Sequence, residues 1–340
     1  MRERVEEVLR GEEAWIVGGA IRDELLGREL VDLDVACREP ETAARAFARG
    51  GGGSPFPLSD RWGAWRVALD DGRTVDFTLL RDGIEDDLAT RDFTVNAMAA
   101  SVGSGELVDP FGGRRDLEAR TLRAVSPTIF EDDPLRLLRA VRLEEELGFR
   151  LDPETEALLR EHAGRVTEPA GERILGELDR LSAAGYRRLE ALGLLAPLGG
   201  EVGERLDRAD TPELRLVAAL GVNVERLPIS NQFRRFARTL LGAEPPADGS
   251  PRAIHRFRRA TEPWSLEALR FLGDDEHAAA VESARAEQPA EPLVRGDELG
   301  LPPGPLIGAI LREIEEERAA GTVTTREEAL ELARRRAGAA

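Results

Sequence analysis

Asp32 and Asp34 stand two apart in Val31-Asp32-Leu33-Asp34-Val35, where acids alternate with apolar residues. In a strand, that spacing points both carboxylates to one face. Just upstream, Trp15-Ile16-Val17 reads as a strand and Gly18-Gly19 as a turn, followed by a helix bearing Arg22 and Asp23 and a second turn at Gly27. Glycines let backbone N–H groups approach a ligand closely, and a Gly-rich strand-to-helix turn with an arginine one turn in makes a phosphate cradle. Two carboxylates beside such a cradle suit Mg²⁺ ions holding a triphosphate. A Gly-Gly turn alone is common, and an Asp-x-Asp pair alone is more often a solvated strand edge. Together, at this spacing, they are far more specific.

The rest of the chain must position these groups. Residues 1–10 read as a short amphipathic helix, 39–49 as a helix with an apolar face, and 50–55 as a loop by composition. Trp62–Leu69 and Thr74–Leu79, joined by Asp70-Asp71-Gly72, predict a hairpin, and Asp76 is a candidate third acid on it. Further on, Arg91 can pair with triphosphate oxygens. Asp92 and Asn96, one helical turn apart, fix the ribose and nearby backbone. Residues 107–113 read as a structural turn. The run 130–142 predicts one helix: acids first, Pro134 in its first turn, then Leu135, Leu138 and Val141. Asp133, Arg136 and Arg139 lie three apart and so share an edge of it. From about residue 186 the chain reads all-helical, and its last helix opens with a capping pattern at Thr325.

At 340 residues, the chain can build two or more cores. One cysteine, Cys37, excludes an internal disulfide, and His162, His255 and His277 are too scattered for a histidine metal cluster. No apolar run approaches membrane-spanning length and the first residues lack a signal pattern, so a cytoplasmic protein without a membrane partner is expected. All 47 basic residues are arginine and the formal net charge is −18. RNA responds to the local field rather than to net charge. Arg234, Arg235, Arg238, Arg252, Arg256, Arg258 and Arg259 form a basic island that is a candidate phosphate contact; the plainer account is a solvated helix face.

Gly18-Gly19-x-x-Arg22-Asp23-x-x-Leu26-Gly27-Arg28 followed by Asp32-x-Asp34 resembles the head signature of class II tRNA nucleotidyltransferases and bacterial poly(A) polymerases, of the DNA polymerase β-like superfamily. Arg91 to Ala97, which the resemblance makes a helix, Leu107 to Gly113, Asp132-Asp133-x-x-Arg136 and Glu172 to Leu178 resemble the later motifs in the same order. Thr90 and Asp132 depart from the family pattern, which has arginine and glutamate there. The resemblance implies an α+β fold, with a mixed-sheet nucleotidyltransferase head (1–125) followed by an all-α neck (126–185), body (186–270) and tRNA-binding tail (271–340). It implies Mg²⁺ on Asp32 and Asp34, with Asp76 joining them in catalysis. Gly18, Gly19, Arg22, Asp23, Arg28, Arg91, Asp92 and Asn96 would hold phosphate and ribose. Asp133, Arg136 and Arg139 would read the base without a template. An arginine fork can donate to O2 and N3 of cytosine while a carboxylate accepts from its N4 amino group.

The implied reaction transfers a nucleotide from CTP, and from ATP in the CCA-adding branch, to the 3′ end of tRNA. Full CCA-adding relatives carry a longer mobile loop before the Arg91 motif. Here only Asp82-Gly83 separates Leu80-Arg81 from Ile84-Glu85, which resembles the CC-adding branch. Poly(A) polymerase ranks below, as does a non-catalytic RNA-binding protein retaining the fold. A transferase acting on antibiotics would need neither the base-reading pair nor a long helical body. Leu214–Leu220 lacks the His-Asp pair that some relatives carry there, so a second hydrolase activity is not expected.

Overall fold

The computed structural model describes residues 1–59, 63–289 and 291–338. It contains two compact units, Met1–Leu181 with Arg187–Leu198, and Ser182–Tyr186 with Gly199–Ala340. Trp62, expected to open the hairpin, lies outside the described residues.

In the first unit, α1 (Arg2–Val8), β1 (Ala14–Val17), α2 (Gly19–Leu25), β2 (Asp32–Cys37) and α3 (Pro40–Gly51) come first. Then follow β3 (Ser54–Ser59), β4 (Ala64–Ala68), β5 (Thr74–Leu79), α4 (Ile84–Ala89), β6 (Ala99–Ser101), β7 (Leu107–Val108) and α5 (Gly113–Glu118). The strands form one mixed sheet in the order β3-β4-β5-β2-β1-β6-β7, parallel only between β2 and β5. Ser54, expected in a loop, begins a strand, because residues 54–59 find β4 as an antiparallel partner.

Alternation in the strands sorts two faces. Leu33, Val35, Val67, Val75 and Phe77 pack under α1 and α3, with the Phe47 and Phe77 rings 5.9 Å apart. On the other face Val17, Ala36 and Ala99 pack with Leu80, Leu88 and Ala97, and Asp34 and Asp76 emerge beside this smaller cluster. The acids therefore stand on a rigid sheet whose opposite face is a continuous core.

The unit continues through β8 (Thr121–Leu122), α6 (Ile129–Asp132), α7 (Arg136–Leu147), β9 (Arg150–Leu151), α8 (Pro153–Glu161) and α9 (Gly171–Leu178). Asp109 accepts from the backbone N–H groups of Gly113 (2.6 Å) and Arg114 (3.0 Å), so the 107–113 turn caps α5. Buried Asp116 and Asp152 share Arg123, tying this turn region to α8. After α10 (Ala183–Ala191), the second unit is helical: α11 (Pro212–Leu220), α12 (Asn231–Leu241), α13 (Pro251–Thr261), α14 (Ser265–Leu272), α15 (Ala278–Ala286), α16 (Pro305–Ala319) and α17 (Arg326–Ala337). Thr325 and Glu328 form the capping box read in the sequence. No helix among the described residues is long and apolar enough to cross a membrane.

Candidate active site

Strand register brings the acids together. Asp34 pairs in register with Asp76 on β5, and Asp76 with Arg66 on β4, so the three side chains form a row on one face. Asp32 lies one pleat along and accepts from Thr74 Oγ1 at 2.7 Å. Arg66 Nε and Nη2 each donate to Asp76 at 2.7 Å. Burial pushes the Asp34 carboxyl above its ordinary range; Arg91 opposes this, while Asp76 and Asp32 add to it. Charge that is costly to bury beside like charge is relieved by a cation. The donor set is all oxygen, which fits a hard divalent ion. No group of three His, Cys, Asp or Glu among the described residues is arranged to hold a metal, so Asp32 and Asp34 would share it with phosphate and water oxygens.

Gly18, at φ 71°, immediately precedes α2, and a Cβ there would meet Arg91 Nη1 at 3.3 Å and Asp34 Oδ2 at 3.4 Å. Only glycine lets this turn lie against both groups. Arg22 is buried: its Nη1 donates to Asn96 Oδ1 at 2.6 Å, and Nε and Nη2 grip Asp23 at 2.9 and 2.8 Å. Arg91 is held by Asp87, with its Nη2 at 2.7 Å. Arg28 donates to the Glu146 carbonyl at 3.2 Å.

The helix expected over 91–97 reduces to one turn, Thr94–Asn96. Phe93 is held extended by a bridge to Ala124, and its side chain is buried, which stops the helix there. The Asp92–Asn96 pairing survives: Asn96 Nδ2 donates to Asp92 Oδ1 at 3.0 Å, as does the Phe93 N–H at 2.8 Å. Arg139 Nε and Nη2 reach Asp92 Oδ2 at 2.9 and 2.7 Å. Burial pushes the Asp92 carboxyl up, but the Arg139 charge and these hydrogen bonds outweigh it and hold it below the usual range. Arg139 is thus bound to a carboxylate rather than extended toward a base.

The single helix expected over 130–142 is two, α6 and α7. Between them Asp133 is extended (φ −147°, ψ 97°), because a residue before proline is driven out of the helical region. Asp133 therefore does not share a helix edge with Arg136 and Arg139. Its carboxylate accepts from the Leu135 N–H at 3.2 Å and from Arg173 Nη2 at 2.7 Å. Arg136 donates to the carbonyls of Thr90 and Ile129. All three still line one cleft of about 680 Å³, together with Gly18, Gly19, Arg22, Asp23, Arg28, Asp32, Asp34, Arg91, Asp92 and Asn96. Asp76 and Arg66 are not part of its wall.

Sequence reasoning passed over Arg66 and Arg173. Alternation along Trp65-Arg66-Val67 could have put Arg66 on the acid face. Arg173 reaches Asp133 through packing between distant helices, which no local spacing signals.

In the second unit the arginine island is largely committed. Arg238 grips Glu225 at 2.7 Å, with Arg234 nearby at 3.7 Å. Arg256 pairs with Glu316 and Arg252 with Glu317. Arg258 is buried against Glu262, Gln288 and the Ala284 carbonyl. Among the described residues, Arg235 and Arg259 have no hydrogen-bonding or ionic partner.

Residues 14–56 and 64–123 match the family described as the poly A polymerase head domain, and 148–199 match a probable RNA- and SrmB-binding site of polymerase A. The A-adding tRNA nucleotidyltransferase of Deinococcus radiodurans is 35% identical over 93% of this chain and 94% of its own length. The chain belongs to the tRNA nucleotidyltransferase family. The CC-adding tRNA nucleotidyltransferase of Thermus thermophilus is 32% identical, covering 93% of this chain and 92% of its own. Among solved structures, the Thermotoga maritima CCA-adding enzyme complexed with tRNA shares the fold at a TM-score of 0.73 and 24% identity, over 97% of this chain and 94% of its own. The row of acids lies within the residues that match the head-domain family, and the cleft beside it is walled both by residues of that match and by Asp133, Arg136 and Arg173, which follow it.

Proposed function

We propose that the chain adds cytidylate from CTP to the 3′ end of tRNA and stops after CC. The observation that carries the stop is the connection between β5 and α4. Residues 80–83 suffice to span it, and the Arg38 guanidinium donates to the carbonyls of Leu80, Arg81 and Asp82. A connection this short and this pinned has no slack with which to re-aim the base site from C to A.

Asp32 and Asp34 would hold Mg²⁺, which would supply charge to lower the pKa of the attacking hydroxyl and to neutralise the leaving pyrophosphate. Gly18, Gly19, Arg22 and Arg91 surround the phosphates with N–H donors and positive charge in a fixed arrangement. Asp92 and Asn96, locked to each other and to Arg139 and Arg22, present the ribose site. Asp133 accepts from the cytosine N4 amino group while Arg136 donates to its ring acceptors. Positioning and charge stabilisation supply the catalysis, with no side-chain nucleophile. The division into head, neck, body and tail at 125, 185 and 270, an acceptor contact on the basic island, and a cytoplasmic site of action belong to the same proposal.

A second reading, addition of the terminal A alone, is favoured by the likeness to the A-adding tRNA nucleotidyltransferase of Deinococcus radiodurans. The test is to sequence product ends from tRNA transcripts ending just before CCA, and just after CC, given CTP, ATP or both. CC ends with both nucleotides present support the first reading, and A added only to CC-ended transcripts supports the second. CCA ends defeat the argument from the short connection.

A further inference from the structure

We infer that the open β3–β4 end of the sheet receives the 3′-terminal nucleotide of the acceptor RNA, its base against Phe56 and its phosphate at Arg66; this rests on the transferase reading above. Phe56 pairs in register with Arg66, Arg66 with Asp76, and Asp76 with Asp34. Residues paired in this way share a face, and neighbouring strands lie about 4.8 Å apart, so Phe56 stands roughly 10 Å from Asp76 along the row.

The nucleotide cleft reaches this row from the other side. Its wall includes Asp34 and Asp32 but neither Asp76 nor Arg66. In-line displacement places the attacking oxygen opposite the leaving pyrophosphate. With the triphosphate in the arginine-lined cleft, the acceptor hydroxyl must arrive across Asp76. On that approach the described residues include the Arg66 cation and the bare ring of Phe56. Phe56 is 40% exposed, and Leu58, at the irregularity where β3 slips register on β4, is 44% exposed; few other large apolar side chains among the described residues are left uncovered. Arg66 spends Nε and Nη2 on Asp76, while Nη1 has no partner among the described residues and is free for a phosphate oxygen. An aromatic platform beside a cation is how proteins hold single-stranded ends without reading their sequence. A second copy adding a strand at this edge is disfavoured, because Pro55 and Pro57 deprive β3 of N–H donors.

The probe is a tRNA carrying 2-aminopurine as its 3′-terminal base, titrated with the full chain. Stacking on Phe56 quenches its fluorescence. Phe56→Ala should abolish the quench and raise KM for tRNA about tenfold, leaving KM for CTP unchanged, while Phe56→Tyr retains both. Quench and tRNA KM unaltered in Phe56→Ala, at an unchanged circular dichroism spectrum, would overturn the inference. So would conversion of a dimer to a monomer by that variant at constant tRNA KM, since the face would then belong to a second copy. Absence of transfer by the wild type defeats the transferase reading instead, and the quench, read without turnover, reports separately.

Discussion

Asp34 carries a conflict that shapes the whole site. Its carboxylate is buried beside Asp32 and Asp76, and its pKa is raised, so the fold favours the protonated form. A raised acid pKa means the folded state keeps its proton after the unfolded chain has lost it. Stability therefore falls as pH rises through the window above the ordinary carboxylate value. Asp34→Asn should raise the melting temperature of the metal-free protein at neutral pH in calorimetry, yet cut CTP transfer by roughly a thousandfold, the scale of losing a main charge-stabilising group. Unchanged melting with lost transfer would show that like-charge burial costs the fold nothing here. The Asp92–Arg139 pair has the opposite sign. Asp92 is buried and its pKa depressed, so its contribution is present at neutral pH and disappears as pH falls through the folded-state value. Arg139→Met leaves that charge buried and unmatched, at a cost of about 3–5 kcal/mol in urea melts, and Asp92→Asn added to it should restore most of the loss. If Arg139→Met instead spares stability and alters only nucleotide choice, Arg139 reads the base.

At the scale of elements, the break between α6 and α7 determines what Asp133 can do. Pro134 forces Asp133 into extended backbone, which delivers its carboxylate to Arg173 and the cleft instead of along the helix edge. Pro134→Ala should let α6 and α7 run together and swing the carboxylate away. Selection of CTP over ATP, compared as kcat/KM, should drop about tenfold, the scale of one lost base contact, with little change in melting temperature. Retained selectivity would mean Arg173 alone holds the carboxylate in place. This break was readable in principle, since proline announces itself, yet acids before an apolar periodicity mimic an ordinary helix start. Gly18-Gly19 and Asp32-x-Asp34 were legible because their geometry is set within a turn or a single strand. The Asp76–Arg66 pair and the Asp133–Arg173 pair were not, because strand register and helix packing join residues that no local spacing connects. The short link after β5 was legible as a length, but not its clamp, since Arg38 lies 42 residues before the first carbonyl it holds.

For the molecule as a whole, a chain of net charge −18 must still meet a polyanion. Long-range repulsion is screened beyond about 8 Å at physiological salt, so what counts is which cations keep donors unspent for phosphates at contact distance. Within the basic island most guanidinium groups already face a carboxylate: Arg238 on Glu225, Arg252 on Glu317, Arg256 on Glu316. Arg258 goes further and is buried, with donors on Glu262, Gln288 and a backbone carbonyl, so it braces α13. On the proposed reading of this island, Arg235 and Arg259 are the residues left to act on RNA. Each phosphate contact on a duplex contributes about 0.9 to the slope of log K against log salt. The double variant Arg235→Gln/Arg259→Gln should therefore flatten the slope for tRNA binding by about 1.8, measured by fluorescence anisotropy across a salt series, without moving the melting temperature. Arg258→Gln should do the reverse, lowering stability while leaving the slope intact. A slope insensitive to Arg235 and Arg259 would move the tRNA contact off this island altogether.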